Sequence, residues 1–86
     1  MPDTPYELDI AEVFAVTGRP VIVNGPAAGR GLLRDGQRVE VLRNGGVVAT
    51  ARAFVEFHAR PGTTSLVLLG LATADVRPGD VVRAEP

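Results

Sequence analysis

The most restrictive feature of this chain is a dipeptide and its setting. Asn44-Gly45, followed by Gly46, stands between two runs rich in β-branched residues. Asn-Gly readily takes positive φ at both central positions of a two-residue turn, the geometry that joins antiparallel strands. The flanking residues alternate. Val39 and Val41 share one face before the turn, in a strand over residues 38–43. Val47, Ala49, Ala51, Ala53, Val55 and Phe57 share one face after it, in a strand over residues 47–57. Period two marks a half-buried strand. A long β-hairpin is therefore expected, with Phe54 on its opposite face beside Arg52 and Glu56.

The rest of the chain reads in the same way. In residues 6–16, Tyr6, Leu8, Ile10, Phe14 and Val16 share one parity, and a bend or bulge near residues 11–13 accounts for Glu12 and Val13. Gly18 and Pro20 mark a turn, residues 21–23 a short strand, and residues 24–31 a glycine-rich loop. Asp35-Gly36 and Pro61-Gly62 mark two further turns. Residues 63–69 form a nearly continuous apolar strand, expected to be central. Residues 73–76 suit one helical turn capped by Thr73, and Pro78-Gly79 leads into a closing strand over residues 81–84. The expected core is Leu8, Ile10, Phe14, Val16, Val21, Val23, Val39, Val41, Val55, Leu66, Leu68 and Val81. About six short strands at close spacing suggest an all-β closed barrel, which removes exposed strand edges. Residues 1–5 read as a flexible leader and residues 6–86 as one domain.

Composition narrows the chemistry. The chain has no cysteine, so disulfides, thiolate metal sites and a cysteine nucleophile are excluded. That suits a reducing cytoplasm, the expected location. No signal peptide is visible, and the longest apolar stretch, residues 66–72, falls far short of the roughly 20 residues of a membrane span. Nine arginines against ten acidic residues give a net charge of −1, so no strong field draws in nucleic acid.

Several segments together resemble a known family. Glu12-Val13-Phe14-Ala15-Val16-Thr17-Gly18-Arg19 resembles the opening of domain 2 in translational GTPases of the elongation factor Tu family. Val21-Ile22-Val23-Asn24-Gly25, the stretch from Leu32 to Val41, Leu68-Leu69-Gly70-Leu71, and the stretch from Asp75 to Val82 resemble later segments in the same order. The resemblance implies a small six-stranded antiparallel Greek-key β-barrel. It also implies departures. The phosphate-binding G-x-x-x-x-G-K-[ST] loop is missing, so neither nucleotide binding nor hydrolysis is expected. In the family a glutamate two residues before the Val of the opening motif helps hold the terminal adenosine of aminoacyl-tRNA. Ala11 stands there in this chain. The family segment before the apolar closing strand is shortened here to residues 58–62. Both departures count against tRNA-end binding.

No catalytic constellation stands out, and no enzyme activity, cofactor or metal is expected. His58 is the single histidine and reads as a solvated turn residue. Glu7, Asp9 and Glu12 read as solvated strand residues. The glycine-rich loop over 24–31 is a place where a ligand could come close to the backbone. Candidate partner-binding residues are Phe54 and Arg52, an aromatic beside an arginine as in many interface anchors, together with Arg19, Arg30 and Arg34, which border the glycine-rich loop. The expected function is a stand-alone, non-catalytic, translation-factor-like binding module that contacts ribonucleoprotein or translation components. The alternative is a protein-interaction or accessory scaffold domain unrelated to translation. A protein partner or homo-oligomer is expected, RNA is a secondary expectation, and neither membrane nor nucleotide is expected.

Overall fold

Seven strands form in the computed structural model, which describes residues 6–15, 17–26, 33–56 and 61–85. They are β1 (Glu7–Asp9), β2 (Glu12–Phe14), β3 (Val21–Gly25), β4 (Gln37–Arg43), β5 (Gly46–Glu56), β6 (Thr64–Leu69) and β7 (Val81–Ala84), with a single 3-10 turn at Thr73–Asp75. All pairings are antiparallel, in the order β1-β7-β4-β5-β6-β3-β2. The predicted hairpin is β4–β5. Asn44 and Gly45 take φ of 53° and 81°, the positive values a type I′ turn requires. The apolar strand β6 lies inside the sheet, between β5 and β3.

Six strands closing on one another were expected. The sheet instead has seven, and its ladder ends at β1 on one side and β2 on the other. The extra strand arises because the opening run divides at Ile10–Ala11. Before the break the run pairs with β7, and after it the run pairs with β3. The break itself is held from both sides. The Ile10 N–H donates to the Asp80 carbonyl at 2.9 Å, and the Ala11 N–H donates to the Asn24 carbonyl at 2.8 Å.

Gly25 makes this crossing possible. A Cβ at that position would land on the Asp9 carbonyl oxygen and sit 3.1 Å from the Ala11 nitrogen. Asn24 and Gly25 were expected in a loop that a ligand approaches. They are the buried end of β3, and what approaches Gly25 is the backbone of the opening run. Residues 27–31 of that expected loop lie outside the described residues.

The break also reverses the inward face. Tyr6, Leu8 and Ile10 are buried, but beyond the break Val13 packs against the core and Phe14 is 40% exposed. A one-residue slip in a period-two pattern sends every later side chain to the other face. The bend or bulge expected near residues 11–13 is instead a strand break at Ile10–Ala11, and placing Phe14 in the core ignored the change of parity there. Val16 lies outside the described residues.

The core joins Leu8, Ile10, Val21, Val23, Val39, Val41, Leu66 and Leu68 as expected, each buried. Fully burying one such side chain is worth about 1.5–3 kcal/mol. Val55 is half-buried against this cluster. Val81, expected inside, is half-buried, and Val82 and Ala84 point inward instead. The register explains this. Val82 stands opposite Val41, so the two share the inner face. Small inward residues on the long β5, Ala51 and Ala53, complete the core.

The 3-10 turn is capped one residue earlier than expected, with Thr73 as its first residue and not its cap. Ala72 holds the capping position, and its N–H donates to Asp75 Oδ2 at 2.8 Å. Among the described residues no helix is long and apolar enough to cross a membrane.

Candidate functional site

Partners in an antiparallel ladder put their side chains on the same face. Following the register across β2, β3, β6 and β5 gives one continuous outward row: Phe14 opposite Ile22, Ile22 opposite Val67, and Val67 opposite Phe54. Four adjacent strands span about 14 Å at the usual spacing. Every member of the row is apolar. Phe14 is exposed, and Ile22, Val67 and Phe54 are half-buried. Leu69, one outward position further along β6, is 48% exposed.

The row has two unlike borders. On one side the register runs Glu12–Asn24–Ser65–Glu56. Asn24 and Ser65 are buried, and the Asn24 amide donates to Ser65 Oγ at 2.9 Å. Glu56 meets Arg19 at 3.8 Å. On the other side Leu69 stands opposite Arg52, and Arg52 opposite Arg38. One border thus holds Glu12 and the Glu56–Arg19 pair, and the other holds two arginines opposite each other.

The turn before β4 braces Phe54. The Gly36 N–H donates to the Ala53 carbonyl at 2.8 Å, and the Val55 N–H donates to Asp35 Oδ1 at 2.9 Å. A Cβ at Gly36 would lie 3.7 Å from Cε1 and Cζ of Phe54, so the ring rests on this turn. Arg52 Nη1 donates to the Gly36 carbonyl at 3.0 Å. Such bracing holds an aromatic ring in place before any partner arrives.

Four of the five residues singled out from sequence are described, and three of them belong to or reach the outer face of β5. Arg52 and Phe54 lie on it. Arg19 reaches it through Glu56. Arg34 is exposed at the turn that carries Gly36, with its carbonyl accepting from the Gln37 N–H at 3.0 Å. Arg30 and His58 lie outside the described residues. Phe14, Ile22, Val67 and Leu69 were missed as surface residues. The parity break near Ala11 was the signal that could have revealed Phe14.

A second polar feature, also missed, belongs to the fold. Asp80, 2% exposed, receives two parallel hydrogen bonds from Arg43: Nε to Oδ1 and Nη2 to Oδ2, each 2.9 Å. The Arg77 N–H adds a third at 3.0 Å. The Arg43 hydrogen bonds hold the Asp80 carboxyl below the ordinary carboxylate range, against the opposing effect of burial. Because the Asp80 carbonyl also receives the Ile10 N–H, this pair fixes the strand break. Among the described residues, no group of three His, Asp or Glu side chains gathers to hold a metal.

The chain is 35% identical over 89 aligned residues to elongation factor Tu 2 of Streptomyces avermitilis. The match covers 95% of this chain and 22% of that protein. No protein-family model matches. Over a single domain-sized, all-β segment, the chain is a distant homologue of elongation factor Tu.

Proposed function

We propose that this chain is a translation-factor-like binding module with no chemistry of its own, a curled, barrel-like sheet that docks on a protein of the translation apparatus in the cytoplasm. Its two sheet ends, β1 and β2, are consecutive pieces of one run, as a barrel-like sheet needs. Two findings support the binding reading: the relation to elongation factor Tu over a domain-sized segment, and the outward apolar row from Phe14 to Phe54. The second carries more weight. An apolar strip across four strands gains nothing in water, and exposed apolar patches commonly mark interaction sites. It favours a protein partner over RNA, since among the described residues the face has no stacked run of aromatics between cations, and the net charge is −1.

Photocrosslinking tests this. A photoreactive residue replaces Phe14 in one variant and Val48 in another. Val48 is 46% exposed and lies near the hairpin end of β5. In cell extract, position 14 is expected to crosslink proteins of the translation apparatus and position 48 is not. Equal crosslinking from both positions, or crosslinks from position 14 only to proteins foreign to translation, contradicts the proposal.

A further inference from the structure

The basic border of the apolar row holds an arrangement that the fold itself does not require. Arg38 and Arg52 stand directly opposite each other in the β4–β5 ladder. Like charges in that position repel. Arg38 is relieved on one side, where its Nε donates to Glu85 Oε2 at 2.9 Å. Among the described residues Arg52 donates to the Gly36 carbonyl. A guanidinium carries five N–H donors in a rigid fork, so these bonds use only part of what the two offer. Both side chains border a cleft of about 320 Å³ that Thr50, Leu69 and Gly70 also line. Leu69 connects the cleft to the row of Val67 and Phe54.

The Arg43–Asp80 pair shows what a purely structural arginine looks like in this protein: both carboxylate oxygens are engaged and the acid is buried. Arg38 differs, with a side chain 60% exposed. Glu85 already demonstrates that a carboxylate fits on this border. The far border, with Glu12 and Glu56, is unfavourable to a polyanion lying along the whole face. The two borders therefore differ, with two arginines opposite each other at one end, apolar side chains in the middle, and Glu12 with the Glu56–Arg19 pair at the other.

We propose that the cleft between Arg38 and Arg52 binds the carboxylate of an extended protein segment whose adjacent large apolar side chains lie along Leu69, Val67 and Phe54. This rests on the reading of the outer face as a docking surface, and it names the chemistry of what docks. The carboxylate spans the two guanidiniums, relieving their repulsion through charge-assisted hydrogen bonds. The apolar side chains cover the row.

The test uses the full chain, isotopically labelled, titrated with a blocked hexapeptide that alternates aspartate and leucine. Controls are the same peptide with asparagine for aspartate, and a uridine hexanucleotide. The aspartate peptide is expected to shift the amides of Arg38, Arg52, Phe54, Val67 and Leu69, and the asparagine peptide to bind at least tenfold more weakly. Arg52→Gln is expected to weaken the aspartate peptide at least tenfold, and Arg52→Lys, which keeps charge without the fork, by an intermediate factor. The wild-type shift map needs no variant, so an unstable mutant does not remove the test. The proposal is overturned if the shifts fall elsewhere, if the asparagine peptide binds equally, if Arg52→Gln is without effect in a folded protein, or if only the hexanucleotide shifts these amides. Failure here with position 14 still crosslinking translation proteins overturns the carboxylate cleft alone. A mapped peptide with no such crosslinks overturns the translation reading and leaves the cleft.

Discussion

Two halves of one sheet solve the same problem differently on their outer faces. Across β1, β7, β4 and β5 the outward register reads Glu7–Arg83–Glu40–Thr50. Its charges alternate, and Arg83 meets Glu40 at 3.4 Å. Across β2, β3, β6 and β5 it reads Phe14–Ile22–Val67–Phe54. The first row is an ordinary solvated surface, in which each charge has an opposite neighbour. The second leaves an aromatic ring 40% exposed beside half-buried aliphatic residues. Both rows sit on the same hydrogen-bonded scaffold, so secondary structure does not account for the difference. What separates them is the outward side chains: charges of alternating sign on one row and apolar groups on the other, which is the proposed docking face.

The contrast depends on the crossing at Ile10–Ala11, which sends the opening run from one half to the other. Gly25→Ala attacks that crossing and carries the largest expected effect. The added methyl meets backbone that cannot yield locally, and overpacking of this kind costs about 1–3 kcal/mol or more. A domain of this size has only about 5 kcal/mol to lose. The variant is expected to show a broad, poorly cooperative urea transition. A transition matching wild type would mean that the run does not pass over Gly25.

Asp80→Asn comes next, since Asp80 ties the crossing to the end of β4. Removing one partner of a buried ion pair costs about 3 kcal/mol at the lower end of the usual range. The pH dependence has a definite sign. The folded-state carboxyl is held low, so its contribution is complete above the unfolded pKa of about 3.9 and fades as pH falls through the lower folded value. Urea unfolding is expected to separate wild type from Asp80→Asn fully at pH 7 and progressively less below pH 4. An unchanging gap across that range would assign the cost to packing and not to charge.

These expectations show which parts of the fold the residues disclose. The hairpin was legible because Asn44-Gly45 is bracketed by strict alternation, and the inner faces of β4 and β6 followed directly. The face of Phe14 was not, because a one-residue slip reverses parity and the pattern does not say on which residue the slip falls. Val81 and Val82 raise a similar difficulty: two adjacent valines carry no parity, and the partner Val41 decides between them. Arg52 and Phe54 were legible as a pair on one face. The row they belong to was not, since it assembles from four strands whose order in the sheet is not their order in the chain. Arg38 went unnoticed for another reason: β4 and β5 are consecutive, but the register shift between Val41 and Leu42 is what sets Arg38 opposite Arg52.

The smaller effects separate the two outer rows. Phe14→Ser/Leu69→Ser removes the two most exposed apolar side chains of the second half, and is expected to cost less than about 1 kcal/mol, as surface changes usually do. A loss comparable to Asp80→Asn would return Phe14 to the core and dissolve the contrast. Glu40→Gln breaks the surface pair of the first half and is expected to change stability by less than about 1 kcal/mol, with added salt narrowing even that. Denaturant titrations at low and high salt measure both.

The most direct test of the docking face compares affinity, at matched stability, for the protein that position 14 crosslinks. The Phe14→Ser/Leu69→Ser variant is set against Val47→Ser/Val48→Ser, whose two valines are 49% and 46% exposed near the other end of β5. Both variants remove exposed apolar area, but only the first removes it from the docking face. The account predicts at least tenfold weaker binding for the first variant and wild-type binding for the second. Equal binding by both would contradict it, because the apolar row would then be surface without a partner.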